Sequence, residues 1–276
     1  MPIAMDSPLA TTLSESRLDQ TWAALRHEGR AALIPYLTAG HPDPAASEAI
    51  LRAADDMADI LEIGVPFSDP LADGPVIQRS SFRALEQGMT LARTLDLVDR
   101  VSPRRAVVIF SYLNPILQYG IERFLADAGQ LGIAGLLLTD LPAGGDAAVE
   151  QAVRDSPLDL IRLLAPTTTD ARLAQVVDGA EGFLYLVARL GVTGASRQLS
   201  TGLAQQVNRV RAASTLPVAV GFGISTPEQA CAVAGMADGV VVGSALVDTL
   251  DREGPLAAAA LLTRLRQALD PSMVPR

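Results

Sequence analysis

The sequence ILEIGVPFSDPLADGP, residues 60–75, determines how the rest of the chain is interpreted. It begins as an apolar strand that carries one carboxylate, Glu62, and continues as a loop of Pro, Gly, Ser and Asp that carries a second carboxylate, Asp73. A charge inside an apolar strand costs several kcal/mol unless it is paired or takes part in chemistry. Because α/β enzymes place catalytic groups in the loops that follow strands, the two carboxylates form a candidate acid–base pair.

Short apolar runs alternate with helical segments along the chain and predict eight parallel strands. The predicted strands are Ala31–Leu37, Ile60–Val65, Ala106–Phe110, Gly135–Thr139, Leu158–Leu164, Phe183–Val187, Pro217–Val220 and Gly239–Val242. The segments with helical spacing include Pro44–Met57, Leu91–Val101, Ile121–Leu131, Thr201–Ala213 and Pro227–Ala234. This alternation indicates βαβ units. Eight such units in one domain predict an α/β fold of the (β/α)8 TIM barrel type, for which a length of 276 residues is sufficient.

Three segments fall outside the strand–helix repeat. Arg17–Glu28 has the pattern of an extra N-terminal helix that could cover the bottom of the barrel, and Gln78–Gln87 that of a short extra helix in an active-site loop. Residues 1–16 predict a flexible N-terminal tail. We therefore expect a single barrel domain over residues 17–276, with short extra helices in the active-site loops.

Composition excludes several classes of chemistry. The net charge is −9, which argues against a nucleic-acid or anionic-membrane surface. The chain contains no lysine, so a Schiff-base aldolase, a lysine-bound pyridoxal phosphate and a Walker A loop are excluded. The usual nitrogen and sulfur metal ligands are histidine and cysteine, and the chain contains only His27, His41 and Cys231. We therefore expect no metal site. The sequence contains neither a secretory signal nor an apolar run long enough to span a bilayer, which predicts a cytoplasmic enzyme.

Glycines recur after the last three predicted strands, at Gly194, Gly221, Gly223 and Gly243. Glycine lets the backbone approach an anion closely, and Ser244 could cap a short helix beginning near Ala245. Backbone N–H groups at a helix start bind phosphate, and the loops after strands seven and eight are the usual phosphate site of barrels. The alternative interpretation is that these are ordinary turn glycines.

Other candidate residues also have two interpretations. Glu62 is either a proton donor whose pKa is raised by apolar surroundings or a structural carboxylate bonded to a loop backbone. Asp73 also suits an Asx turn. Tyr185 suits core packing as well as the site, and Tyr112 suits a turn or a pocket wall as well as catalysis. The segment Arg189–Arg197 suits either a lid or a surface connection.

The motif LEIGVPFSDPLADGP, residues 61–75, resembles the signature of the tryptophan synthase alpha chain family, as do GVTG at 191–194, GFGIS at 221–225 and GSA at 243–245. The resemblance spans about residues 17–268. It implies a (β/α)8 barrel and a carbon–carbon lyase that cleaves indole-3-glycerol phosphate into indole and glyceraldehyde 3-phosphate.

The same resemblance implies roles for individual residues. Glu62 would be the main general acid and base, Asp73 would stabilise positive charge at the indole nitrogen, and Tyr185 would line the site beside Glu62. The remaining positions fall into two groups. Phosphate binding is implied for Gly194, Gly223, Gly243 and Ser244, and the walls of the indole pocket for Tyr36, Phe110, Tyr112 and Leu137.

The resemblance also implies a partner. Alpha chains pair with a beta chain in an α2β2 heterotetramer, and the pyridoxal phosphate belongs to that beta chain, so no cofactor is expected in this chain. Three alternatives stay open: another phosphate-binding barrel such as an isomerase of histidine or tryptophan biosynthesis, a scaffold that mainly activates a beta chain, and a free-standing lyase that releases indole.

Overall fold

A computed structural model describes residues 15–187, 201–221 and 223–274. Its eight strands form a closed parallel barrel, in which each strand is hydrogen-bonded to its neighbours in sequence and the last strand to the first. The predicted (β/α)8 barrel is therefore confirmed. Gly194 and the candidate lid Arg189–Arg197 lie outside the described residues.

The eight strands occupy the predicted positions, and none of their ends differs from the prediction by more than one residue. They are β1 Ala32–Thr38, β2 Ile60–Gly64, β3 Ala106–Ser111, β4 Gly135–Leu138, β5 Asp159–Leu164, β6 Leu184–Val187, β7 Val218–Gly221 and β8 Gly239–Val242. Their residues are buried almost throughout, because helices cover the outside of the barrel and side chains fill its inside.

Helices cover the outside of the barrel and occupy several of the loops at its upper end. They are α1 Arg17–Glu28, α2 Pro44–Met57, α3 Pro75–Glu86, α4 Leu91–Val101, α5 Leu113–Tyr119, α6 Ile121–Gln130, α7 Ala147–Arg154, α8 Asp170–Asp178, α9 Thr201–Ala213, α10 Pro227–Ala234, α11 Ser244–Glu253 and α12 Pro255–Ala268. The short extra helix α3 begins three residues before the predicted Gln78, because Pro75 suits the first helical position. None of the described helices is long and apolar enough to cross a membrane.

Side chains alternate between the outer and inner faces of each strand, so the barrel has one apolar layer against the helices and another in its interior. In β2, Leu61 and Ile63 pack outward into the cluster shared with the helices, whereas Ile60 belongs to the cluster inside the barrel. Side chains two residues apart share a face of a strand. Glu62 therefore points into the barrel one layer above Ile60, next to its register partner Tyr36 on β1.

Helix α1 closes the N-terminal end of the barrel, as predicted. Trp22 is buried and packs edge-on against Phe183, with ring centroids 5.6 Å apart. A capping box formed by Ser16 and Asp19 starts this helix, and the Ser16 hydroxyl donates a hydrogen bond of 2.6 Å to Asp159. The last residue of the predicted tail is thus the N-cap of α1, while residues 1–14 lie outside the described residues.

Candidate active site

A cavity opens at the C-terminal ends of the strands, where barrel enzymes carry their active sites. The cavity has a volume of about 130 Å³ and is open to solvent on one side. Its lining comes from the ends of most strands and from the starts of α3 and α11. The lining residues are Tyr36, Ala72, Asp73, Gly74, Ile77, Phe110, Thr139, Leu163, Tyr185, Val187, Gly223, Gly243 and Ser244.

Glu62 lies on the inner face of β2 and is 1% exposed. Neither of its carboxylate oxygens has a hydrogen-bond partner among the described residues, so nothing there supports the alternative of a carboxylate bonded to a loop backbone. Burial raises the pKa of Glu62 to about 8, because an ionised carboxylate is poorly solvated in this environment. At neutral pH the group is therefore mostly a neutral acid that can donate a proton.

Asp73 lies in the loop between β2 and α3 and lines the cavity. Its Oδ2 atom accepts a hydrogen bond of 3.1 Å from the Tyr112 hydroxyl. Burial raises the pKa of Asp73 to about 6, and the bond from Tyr112 acts in the opposite direction. Between about pH 6 and pH 8 the site thus combines an ionised Asp73 with a protonated Glu62. Two carboxyl groups with separated pKa values are the usual arrangement for acid–base chemistry.

Two tyrosines project into the upper part of the barrel, and each lies over a glycine of a neighbouring strand. A Cβ atom on Gly64 would overlap the Tyr36 hydroxyl, and one on Gly221 would overlap the Tyr185 hydroxyl. Gly221 therefore makes room for Tyr185, while its predicted close approach to an anion stays a prediction. Tyr36 also packs edge-on against Phe110, with ring centroids 5.1 Å apart.

The candidate phosphate site lies at the start of α11. Gly243, not Ser244 as predicted, is the N-cap, and Ser244 is the first helical residue. No side chain caps this helix, so the amides of its first turn are available to an anion. Gly223 lines the same end of the cavity with a φ of +81°, a conformation that favours glycine.

The structure brings most of the predicted site residues to one cavity. Tyr36, Phe110 and Tyr185 line it. Glu62 and Leu137 are not among the lining residues, because both are fully buried in the interior of the barrel below. Tyr112 is not part of the lining, and its hydroxyl faces the loop that carries Asp73. Whether these residues contact a ligand stays a prediction.

Sequence reasoning missed several lining residues. Leu163 could have been found by counting two positions up β5 from Ile161, which is also on the inner face. Thr139 and Ile77 carry no comparable signal, because a loop and the start of α3 position them. In the described ranges, no three His, Cys, Asp or Glu side chains are grouped so that they could hold a metal ion.

Comparisons with known proteins agree with this geometry. The family model described as "Tryptophan synthase alpha chain" matches residues 22–270. The tryptophan synthase alpha chain of Geobacter sulfurreducens is 48% identical over 261 residues, which cover 92% of this chain and 99% of the relative. That of Gluconacetobacter diazotrophicus is 50% identical and covers 87% and 90%. A solved structure of Mycobacterium tuberculosis tryptophan synthase superposes with a TM-score of 0.86 at 40% identity and covers 93% and 99%.

Proposed function

This chain belongs to the tryptophan synthase alpha chain family, and on that premise we propose which of its residues perform the family's reaction. The reaction cleaves indole-3-glycerol phosphate into indole and glyceraldehyde 3-phosphate, and the indole passes to a beta chain for the synthesis of L-tryptophan. One observation carries the residue assignment. Glu62, which is fully buried with no hydrogen-bond partner among the described residues, and Asp73, which lines the cavity, lie at the barrel end that also presents an uncapped helix start.

We assign the proton transfers to Glu62. The neutral acid donates its proton to the indole carbon that bears the glycerol chain, which leaves a positive charge on the indole ring. The carboxylate so formed then takes the proton from the hydroxyl on the adjacent side-chain carbon. The O–H electron pair becomes the aldehyde C=O bond, the C–C bond breaks, and its electron pair restores the aromatic indole. Glu62 ends the cycle protonated, so a pKa near neutrality suits both steps.

We assign charge stabilisation to Asp73 and anchoring to the start of α11. An ionised Asp73 at the cavity wall stabilises the positive charge that protonation places on the indole nitrogen, and this stabilisation is strong in a site of low dielectric. The amides after Gly243, together with Ser244 and Gly223, hold the phosphate. Gly194 is assigned to the same phosphate site on its motif alone. Tyr36, Phe110 and Tyr185 form the walls that hold the indole ring, with Leu137 beneath them.

The family name implies a beta-chain partner. We propose an α2β2 heterotetramer in the cytoplasm, in which the beta chain holds pyridoxal phosphate and this chain holds no cofactor. The missing lysine supports the last point, because pyridoxal phosphate is anchored through a lysine Schiff base.

The test is the release of indole from indole-3-glycerol phosphate by the purified chain, with and without a tryptophan synthase beta chain. Slow release that rises strongly with the partner supports the proposal. Glu62→Gln should abolish release in both conditions, while Glu122→Gln, which removes an exposed carboxylate on α6, should leave it unchanged.

Other outcomes favour the alternatives. Fast release that ignores the partner would identify a free-standing lyase. Full activity of Glu62→Gln would refute the assignment of the proton transfers. If the chain releases no indole but activates a beta chain, it is a scaffold. If it neither releases indole nor activates a beta chain, the alternative of another phosphate-binding barrel is favoured.

A further inference from the structure

We propose that Tyr112 is a positioning residue, which holds the Asp73 carboxylate and its loop in the reactive arrangement rather than contacting the indole ring. This inference rests on the proposed function, because it acts through the role assigned to Asp73. It differs from the pocket-wall role that the sequence suggested for Tyr112.

Tyr112 contacts the catalytic loop at three points. Its hydroxyl oxygen accepts a hydrogen bond of 2.9 Å from the main-chain N–H of Ala72, and the hydroxyl donates one of 3.1 Å to Oδ2 of Asp73. Its ring packs against Phe67, with centroids 4.9 Å apart. One side chain thus holds both halves of the segment between β2 and α3.

The backbone of Tyr112 is itself held firmly. It follows β3 directly and is the N-cap residue of α5. The Ser111 hydroxyl donates a hydrogen bond of 2.9 Å to the Tyr112 carbonyl, and the Leu113 N–H donates one of 2.7 Å to Asp140. The barrel wall therefore carries the phenol, whereas residues 65–74 have neither helix nor strand. A group on a rigid element can position a group on a loop.

The loop is also held by Gln78, which does not contact the Asp73 carboxylate. Gln78 on α3 donates hydrogen bonds to the main-chain oxygens of Pro70 and Asp73, at 3.3 Å and 3.0 Å. Among the described residues, the Tyr112 hydroxyl is the only hydrogen-bond donor to the Asp73 side chain. Removal of this hydroxyl should therefore free the carboxylate while the main chain of the loop stays attached.

Electrostatics give the hydroxyl a second effect. A hydrogen bond donated to a carboxylate favours its ionised form, and the bond from Tyr112 lowers the pKa of Asp73 against the effect of burial. Burial raises the pKa of Tyr112, so the phenol remains a donor throughout the assay range. The other titratable groups that affect this part of the site are Tyr36 on β1 and Tyr185 on β6, which interact electrostatically with Asp73, and Glu62 on β2.

The experiment compares Tyr112→Phe with Tyr119→Phe. The second variant is a matched control, because it also removes a tyrosine hydroxyl that donates to an aspartate, Asp127, outside the cavity. Loss of a hydrogen bond to a charged group should lower the kcat of indole release by Tyr112→Phe by about 10- to 100-fold, with a smaller change in KM. The acid limb of its pH profile should move to higher pH. Tyr119→Phe should match the wild type.

A second comparison tests whether Tyr112 acts through Asp73. In an Asp73→Asn background, Tyr112→Phe should cause little further loss of kcat. Additive losses, an unchanged kcat, or an acid limb that moves to lower pH would overturn the positioning role alone, while wild-type activity still supports the proposed function. An inactive wild type would overturn the proposed function and this inference with it.

Discussion

Replacement of Glu62 by Gln should make the protein more resistant to alkaline unfolding while it removes activity. Burial raises the pKa of Glu62 from 4.5 to about 8 in the folded state. A raised folded-state pKa gives a stabilising contribution that is full below about pH 4.5 and is lost as the pH rises through about 8. Between about pH 5 and pH 8 Glu62 is ionised in the unfolded state but protonated in the folded state, so stability falls by about 1.4 kcal/mol for each of these roughly three pH units. The wild type should therefore lose about 4 kcal/mol relative to Glu62→Gln over this range.

The assay is urea unfolding of both proteins at a series of pH values, followed by circular dichroism. Contributions from Asp73 and Asp159, whose pKa values are also raised, are common to both proteins and cancel in the difference. A difference that changes by less than about 1 kcal/mol would refute the claim that Glu62 is buried without a partner. Glu122→Gln should follow the wild type.

Three further predictions test other parts of the molecule. Gly221→Ala should lower the rate of indole release and destabilise the protein by about 1–3 kcal/mol, because the added methyl group displaces Tyr185; a wild-type rate and melting temperature would contradict it. Ser244→Asp should raise KM at least about tenfold by charge repulsion at the start of α11. Ser244→Ala, which removes the hydroxyl but keeps the backbone amide, should raise KM by a smaller factor; equal KM values for Ser244→Asp and the wild type would argue against a phosphate there. Trp22→Ala should cost about 3–5 kcal/mol in urea unfolding, because it empties the base of the barrel, and a cost below about 1 kcal/mol would show that α1 packs loosely.

The fold could be predicted because its signals are local. Each strand is a short apolar run, and helices such as α2 and α10 begin with proline after a capping residue. These features depend on neighbouring residues alone, and the predicted bounds therefore agree closely with the observed ones. The start of α3 was missed by three residues because Pro75 was assigned to the loop motif rather than to the helix.

The candidate site could be predicted only in part, for a physical reason. Glu62 could be recognised from the sequence as a candidate site residue, because a carboxylate within an apolar strand is unusual in any protein. The steric need for glycine at position 221 depends on the side chain of Tyr185 on the adjacent strand, and the bond from Tyr112 to Asp73 joins residues 39 positions apart. Such pairings follow from the closure of the barrel and have no signature in either segment.

The packing of Trp22 at the N-terminal end of the barrel has a consequence for how substrate and products enter and leave. Below Glu62 the interior is filled by apolar side chains from Ile60 down to Trp22 and Phe183, so the described part of the barrel has no rear exit. We therefore expect substrate and both products to pass through the opening of the cavity at the C-terminal ends of the strands. A partner that covers this opening would therefore control both the entry of substrate and the release of products.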